Sequence, residues 1–211
     1  LIGSIIMVHG GDNGLVLPPF VAPIQVVIIP IQQNKEGILD KANEIKEHLE
    51  KAGYRVSLDD SDRTPGWKYA EHEMKGVPLR LELGPRDLEK NQVVIARRVD
   101  GHKSFVKNED IESEVARLLK ETHEEMYRKA QEFLKSHIVE VKNVQELKNV
   151  VDVGGYAKMM WCGERACEDK IKELTTATAR CMPHGDHEHF ADECAVCGKK
   201  AEKVVYFAKA Y

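Results

Sequence analysis

No apolar run in this 211-residue chain approaches the ~20 residues that a membrane-spanning helix requires. The first ten residues, LIGSIIMVHG, are too short and too interrupted, and they lack the basic start and small-residue cleavage site of a secretion signal. Cysteine is scarce at five, an odd number, so an exported disulfide scaffold is not expected and a reducing, cytoplasmic setting is. Excess positive charge is also missing: the formal net charge is −4, which argues against wide coating of phosphates. There is no internal repeat and no low-complexity tract. What remains, with 42% hydrophobic and 31% charged residues, is the composition of an ordinary soluble protein, long enough for two domains of about 100 residues each.

Charge is distributed unevenly. From Asp62 to Lys107 ten Lys and Arg stand against seven Asp and Glu, net +3, whereas Asn108 to Val150 holds seven against ten, net −3. A mildly basic segment suits contact with a few nucleotides better than a broad electrostatic footprint. Within it, DRTPGWKYAEHEMKGVPLRLELGPRD (residues 62–87) is the most informative stretch. Pro65 and Gly66 open a short helix whose apolar stripe reads Trp67, Ala70 and Met74, leaving Tyr69 and Glu73 off it. LRLEL then alternates, with Leu79, Leu81 and Leu83 on one side and Arg80 and Glu82 on the other. Gly84 and Pro85 end that strand and put Arg86 at its exit. Glu73, Arg80 and Arg86 are therefore expected to converge at one sheet edge. Two guanidinium forks and a carboxylate match guanine: arginine donates to O6 and N7, and a carboxylate accepts from N1 and N2. A solvated ion-pair network is the other reading of the same residues. Arg63 and Lys68, beside the Pro-Gly turn, are candidates for phosphate contact, Trp67 for stacking, and Lys103 for contact from a later strand.

IQVVIIPI (24–31) is a continuous apolar run of strand length, as expected for a strand covered on both faces. The helix GILDKANEIKEHLEKAG follows, with Ile38, Ala42, Ile45, Leu49 and Ala52 at helical spacing, and then the strand YRVSL. Strand, helix, strand within this span is a βαβ unit with a parallel pair, and LRLEL, QVVIARRV and KSFV complete a mixed sheet. From Glu109 onward, Ile111, Val115, Leu118, Leu119, Met126, Ala130 and Phe133 mark a long amphipathic helix or a broken pair. Asn143 with Glu146 resembles a capping box before a short helix, and VVYFA (204–208) reads as a last strand.

Cys162 and Cys167 bracket four residues, Cys194 and Cys197 bracket two, and 26 residues separate the pairs. Two short-spaced pairs at this distance read as a tetrahedral Zn²⁺ site, with Gly163 and Gly198 allowing tight turns beside the thiolates. His184, His187 and His189 in CMPHGDHEHF offer competing ligands, alone or with Cys181. A loop of Gly, Asp, Glu and His reads equally as solvated surface.

The stretch GWKYAEHEMKGVPLRLELGPRD closely resembles the anticodon-binding domain of prolyl-tRNA synthetases of the archaeal and eukaryotic type. LIGSIIMVHGGDNGLVLPP is similar to the end of that family's catalytic core just past motif 3, APIQVVIIPI to the first strand of the next domain, and the Cys-rich end to the family's zinc-binding appendix. The resemblance implies an α/β chain: residues 1–22 a remnant of the class II catalytic core, 23–125 a mixed-sheet anticodon-binding domain, and 126–211 a smaller α+β zinc-binding domain. It also implies that Glu73, Arg80 and Arg86 read the two guanines of proline anticodons, with lysine also common in the family at position 86. It favours four cysteine ligands, with Cys181 structural, and so a closed site whose zinc stabilises the fold. His9 and Gly10 would lie near the proline and adenylate pocket, and Tyr211 would bring its terminal carboxylate toward the active site. The full-length family member is a homodimeric enzyme that uses ATP and Mg²⁺ to activate proline and charge tRNA(Pro). Because the chain starts at Leu1 inside a family motif, with motifs 1 and 2 absent, it reads as a C-terminal piece that binds tRNA without aminoacylating it. A free-standing RNA-binding accessory module and a zinc hydrolase built on the histidines are the alternatives.

Overall fold

A computed structural model of the chain describes residues 1–185 and 189–210, and its internal contacts fall into two compact units, Leu1–Arg128 and Lys129–Tyr211. The first unit is built on a five-stranded mixed sheet in the order β4-β3-β5-β6-β7. Strands β3 (Val26–Pro30), β4 (Val56–Leu58) and β5 (Leu79–Leu83) are parallel, and β6 (Gln92–Arg97) and β7 (Lys103–Lys107) continue antiparallel. Every residue of β3 is buried, as its unbroken apolar run requires. The crossover between β3 and β4 is α2 (Ile38–Lys51), whose Ile38, Ala42, Ile45 and Leu49 stripe is buried.

One face of this sheet holds the core. Val26, Ile28, Leu79, Leu81, Leu83, Val93, Ile95 and Val106 pack with the α2 stripe and with Ile111, Val115, Leu118 and Leu119 of α5 (Ile111–Ser136). Each fully buried Leu or Ile in that layer contributes about 1.5–3 kcal/mol of transfer free energy. Helix α5 is one continuous element rather than a broken pair, but its buried residues stop at Thr122, and Phe133 is exposed.

On the other face Val27 and Ile29 of β3 pack with Val77 and with Tyr69 of α3 (Pro65–Met74). It starts where the sequence says it should: Pro65 occupies the first turn and Thr64 caps it, its hydroxyl accepting from the Trp67 amide. Its buried side is not the apolar stripe. Trp67 is 47% and Met74 64% exposed, whereas Lys68 and His72 are buried. The Lys68 ammonium donates to the Asp59 carbonyl at 2.8 Å and to the Gln33 side chain at 3.3 Å, and His72 Nε2 sits 2.9 Å from the Asp59 carboxylate. A buried charge is tolerated once paired and hydrogen-bonded, and these partners lie too far off in sequence for periodicity to reveal.

Residues before the sheet form α1 (Ile2–His9), none of whose residues is buried, and the small hairpin β1–β2 (Gly10–Gly11, Gly14–Leu15). Arg98 pins this hairpin to the end of α3, donating to the carbonyls of Asn13, Leu15 and Glu73. Helix α4 (Pro85–Glu89) follows β5.

The second unit has a four-stranded sheet, β10-β11-β9-β8. Strands β8 (Ile138–Val141) and β9 (Tyr156–Trp161) are parallel across α6 (Val144–Asp152), and β9, β11 (Lys203–Lys209) and β10 (Ala177–Cys181) are antiparallel. Asn143 caps α6 as expected, accepting from the Glu146 amide. Helices α6 and α7 (Arg165–Thr175) pack on one side, enclosing Leu147, Val151, Met159, Ile171 and Phe207. No described helix is long and apolar enough to cross a membrane.

Candidate nucleic-acid interface and metal centre

The register of the first sheet lines up two rows on the face away from the core. Val27, Arg80, Ala96 and Lys103 form one; Ile29, Glu82, Val94 and Phe105 form the next. Arg80 packs its guanidinium against the Tyr69 ring of α3 and keeps 13% of its side chain exposed. Its Nη1 donates to Glu73 at 2.7 Å and its Nε to Glu82 at 3.0 Å, while the guanidinium carbon lies 3.9 Å from the Tyr69 ring centroid. The Lys103 ammonium donates to both Glu82 oxygens at 2.9 and 3.1 Å. Glu82 is thus a buried counter-charge shared by two cations, and it fixes the rotamer of Arg80.

Tyr69 completes the cluster. Burial, then the charge of Glu82 and the hydrogen bond to it, push the phenol up to about 12, against the opposing pull of Arg80. The ring therefore stays neutral beneath the guanidinium and holds it flat. With Nη1 and Nε engaged, the Arg80 Nη2 group keeps its donors, and Glu73, with 44% of its side chain exposed, keeps an oxygen for a ligand. Both groups line a cleft of about 870 Å³ whose wall also includes Asp12, Asn13, Met74 and Arg98.

The expected reading triad is thus brought together in two of its three members. Arg86 is exposed on α4, past the far end of β5, beyond about 10 Å of strand, and does not line the cleft. Arg63 is exposed and stacks over Trp67 at 5.2 Å. Lys68 is buried and bonded inward, so its ammonium is not presented to a phosphate. Sequence reasoning assigns no role to Tyr69 or Glu82; the alternation in LRLEL puts Glu82 beside Arg80, and that is the available signal. His9 and Gly10 line a second hollow of about 360 Å³ with Gly11, Asp12 and Arg98. Tyr211 and His187 lie outside the described residues.

In the second unit, Cys162 follows β9, Cys167 sits in the first turn of α7, and Cys194 and Cys197 occupy a turn closed by the Gly198 amide donating to the Cys194 carbonyl at 2.9 Å. Gly163 and Gly198 take φ of +89° and +70°, which suits glycine at both knuckles. All four sulfurs lie within 4.8 Å of one another. Cys162 Sγ is 3.7 Å from Cys167 Sγ and 3.8 Å from Cys197 Sγ, far beyond the ~2.05 Å of a disulfide. A tetrahedral ion with metal–sulfur bonds of about 2.3 Å has sulfur–sulfur edges of about 3.8 Å, so the residues fit a closed metal site.

Burial, then the neighbouring thiols, push Cys167 up, and burial leads the upward shift at Cys162. At Cys194 burial is outweighed by the amides of Val196, Cys197 and Cys162, which bring it down to about 7. Cys181 lies on β10 and is exposed, His184 is exposed, and His189 pairs with Asp192 at 3.0 Å; none belongs to the cluster.

Comparison with known proteins decides the family. The model of the anticodon binding domain matches residues 25–118, and that of the prolyl-tRNA synthetase C-terminal domain matches residues 144–211. The chain thus carries an anticodon binding domain followed by a prolyl-tRNA synthetase C-terminal domain. Among curated synthetases, the chain is 51% identical over 212 aligned positions to a proline–tRNA ligase 2 of Bacillus cereus, 51% to proline–tRNA ligase of Ruminiclostridium cellulolyticum and 50% to that of Lachnoclostridium phytofermentans. Each match takes in all of this chain and 44% of the relative's length. The chain therefore spans less than half of the synthetases it matches, and the span includes their anticodon-binding and C-terminal domains.

Proposed function

We propose that this chain reads a guanine of the proline anticodon through Arg80 and Glu73, within a synthetase that activates proline with ATP and Mg²⁺ and charges tRNA(Pro) in the cytoplasm as a homodimer. The observation that carries the reading is the Glu73–Arg80 pair itself, at 2.7 Å in an open cleft. A splayed-out guanine offers O6 as acceptor beside N1 and N2 as donors on its Watson–Crick edge. Arg80 Nη2 donates to the first, and the free Glu73 oxygen accepts from the others. Adenine reverses the first polarity, presenting N6 donors where O6 would be. Tyr69 and Glu82 hold Arg80 in place before RNA arrives, so little rotamer entropy is lost on binding.

Arg86 and Arg63, both exposed, are candidates for contact with the sugar-phosphate strand, and His9, Gly10 and Tyr211 are assigned to the proline and adenylate end of the full enzyme. The four cysteines would hold a structural Zn²⁺, which supplies folding free energy to the second unit. An all-thiolate shell leaves no position for a reactive water, which favours this role over hydrolysis. On its own the chain is expected to bind tRNA without proline-dependent ATP–pyrophosphate exchange.

Equilibrium binding of proline tRNA tests the reading. Arg80→Ala and Glu73→Ala should each cost roughly 1–3 kcal/mol of affinity. Wild-type binding by both variants, with folds intact by circular dichroism, overturns the assignment.

A further inference from the structure

The sheet face that carries Arg80 runs on to the edge strand β7 and presents an aromatic there that the guanine reading does not use. Phe105 is opposite Val94, which is opposite Glu82, and Lys103 and Lys107 flank Phe105 two residues away on the same face. Val106 turns to the core, so Phe105 turns away from it, and the ring is 71% exposed. A lone exposed Phe is ordinary; its setting is not. The ring lies beside Val94, itself buried, one row from Arg80 and two strands over, about 10 Å across the sheet. Lys107 keeps 72% of its side chain exposed, with Glu109 at 3.7 Å as its ion-pair partner.

We propose that Phe105 is a stacking platform for a second nucleobase of the same RNA strand, next to the guanine pair, with Lys107 meeting its phosphate. The proposal rests on the anticodon reading and extends it. A phenyl ring carries no hydrogen-bonding group of its own and stacks on any base, because every base has a π-face. Lys103 is held by Glu82, but the exposed Lys107 ammonium favours an anionic strand over a hydrophobic peptide or a lipid surface, and a single ring is too small a patch for either of those. Phe105 thus adds affinity without identity, while Arg80 and Glu73 supply identity.

The test uses the 211-residue chain and the anticodon stem-loop of proline tRNA, with 2-aminopurine replacing each non-guanine loop position in turn. Wild type and Phe105→Trp should change the fluorescence at one position flanking the guanines, and Phe105→Ala should abolish that change. Phe105→Ala should also weaken binding about tenfold while leaving the preference for the native loop over a guanine-replaced loop unaltered. Lys107→Ala should lower the salt slope by about one. The side chain is exposed, so thermal melts should not move. Wild-type affinity and wild-type fluorescence in Phe105→Ala overturn the platform alone. A wild-type chain with no preference for the guanine loop overturns the anticodon reading and the platform with it.

Discussion

The Arg80 guanidinium lies over the Tyr69 ring at 3.9 Å, so strand β5 and helix α3 are locked together at this point. The stack is worth about 0.5–2 kcal/mol, and Glu82 holds its cationic partner in place through Arg80 Nε at 3.0 Å.

Glu82→Gln should therefore loosen Arg80 and bring Tyr69 back toward an ordinary phenol. The folded-state value is raised, to about 12 from 10. The bond's stabilisation is accordingly complete below about pH 10 and lost as pH rises through about 12. Tyrosine absorbance titration should show the Tyr69 phenol titrating late in wild type and less late in the variant, where burial alone still raises it, with tRNA affinity lowered as well. An unchanged titration would separate Tyr69 from Glu82.

Asp59 makes acid the weak side of the first unit. Burial raises its carboxyl, but the hydrogen bonds from Ser61 and His72 and the charge of Lys68 outweigh it and leave it lowered from 3.8. A lowered folded-state value means stabilisation that is present above about pH 4 and lost as pH falls through it. Asp59→Asn should be less stable than wild type at pH 7 and show a flatter loss below pH 4, followed by denaturant melts of the first unit.

Lys68 and Arg63 look alike in sequence and should behave oppositely. Lys68→Ala removes a buried ammonium that ties α3 to Asp59 and Gln33, and should cost about 1–3 kcal/mol of stability. Arg63→Ala touches an exposed cation and should leave the melt within about 0.5 kcal/mol, changing only the salt dependence of tRNA binding. Denaturation and salt titrations on both variants separate the two roles.

Metal removal should act on one unit. Chelation is expected to unfold the Cys-rich second unit, where a structural zinc would contribute on the order of 10 kcal/mol, and to leave the sheet of the first unit folded. Elemental analysis should give one zinc per chain, and X-ray absorption four sulfur neighbours. A mixed nitrogen and sulfur shell would bring back the histidines of residues 184–189.

Much of this is legible in the chain. The βαβ unit, the alternation of β5, the Asn143 cap and the four-cysteine site follow from local spacing, which sequence records directly. The orientation of α3 does not, because Lys68 and His72 are buried by partners on other segments and outrank Trp67, Ala70 and Met74 for the inner face. Likewise Arg86 follows Arg80 closely in sequence, yet a strand is rigid and extended, so the two stand at opposite ends of it. The elements Tyr156–Trp161 and Arg165–Thr175 are hard to read from sequence because the cysteine spacing dominates that region.

The most direct measurement compares binding of this chain to a proline tRNA transcript and to one whose two anticodon guanines are replaced by adenines. A loss of roughly thirtyfold or more is expected, from two base contacts of about 1–3 kcal/mol each. Equal affinity for the two transcripts would contradict it.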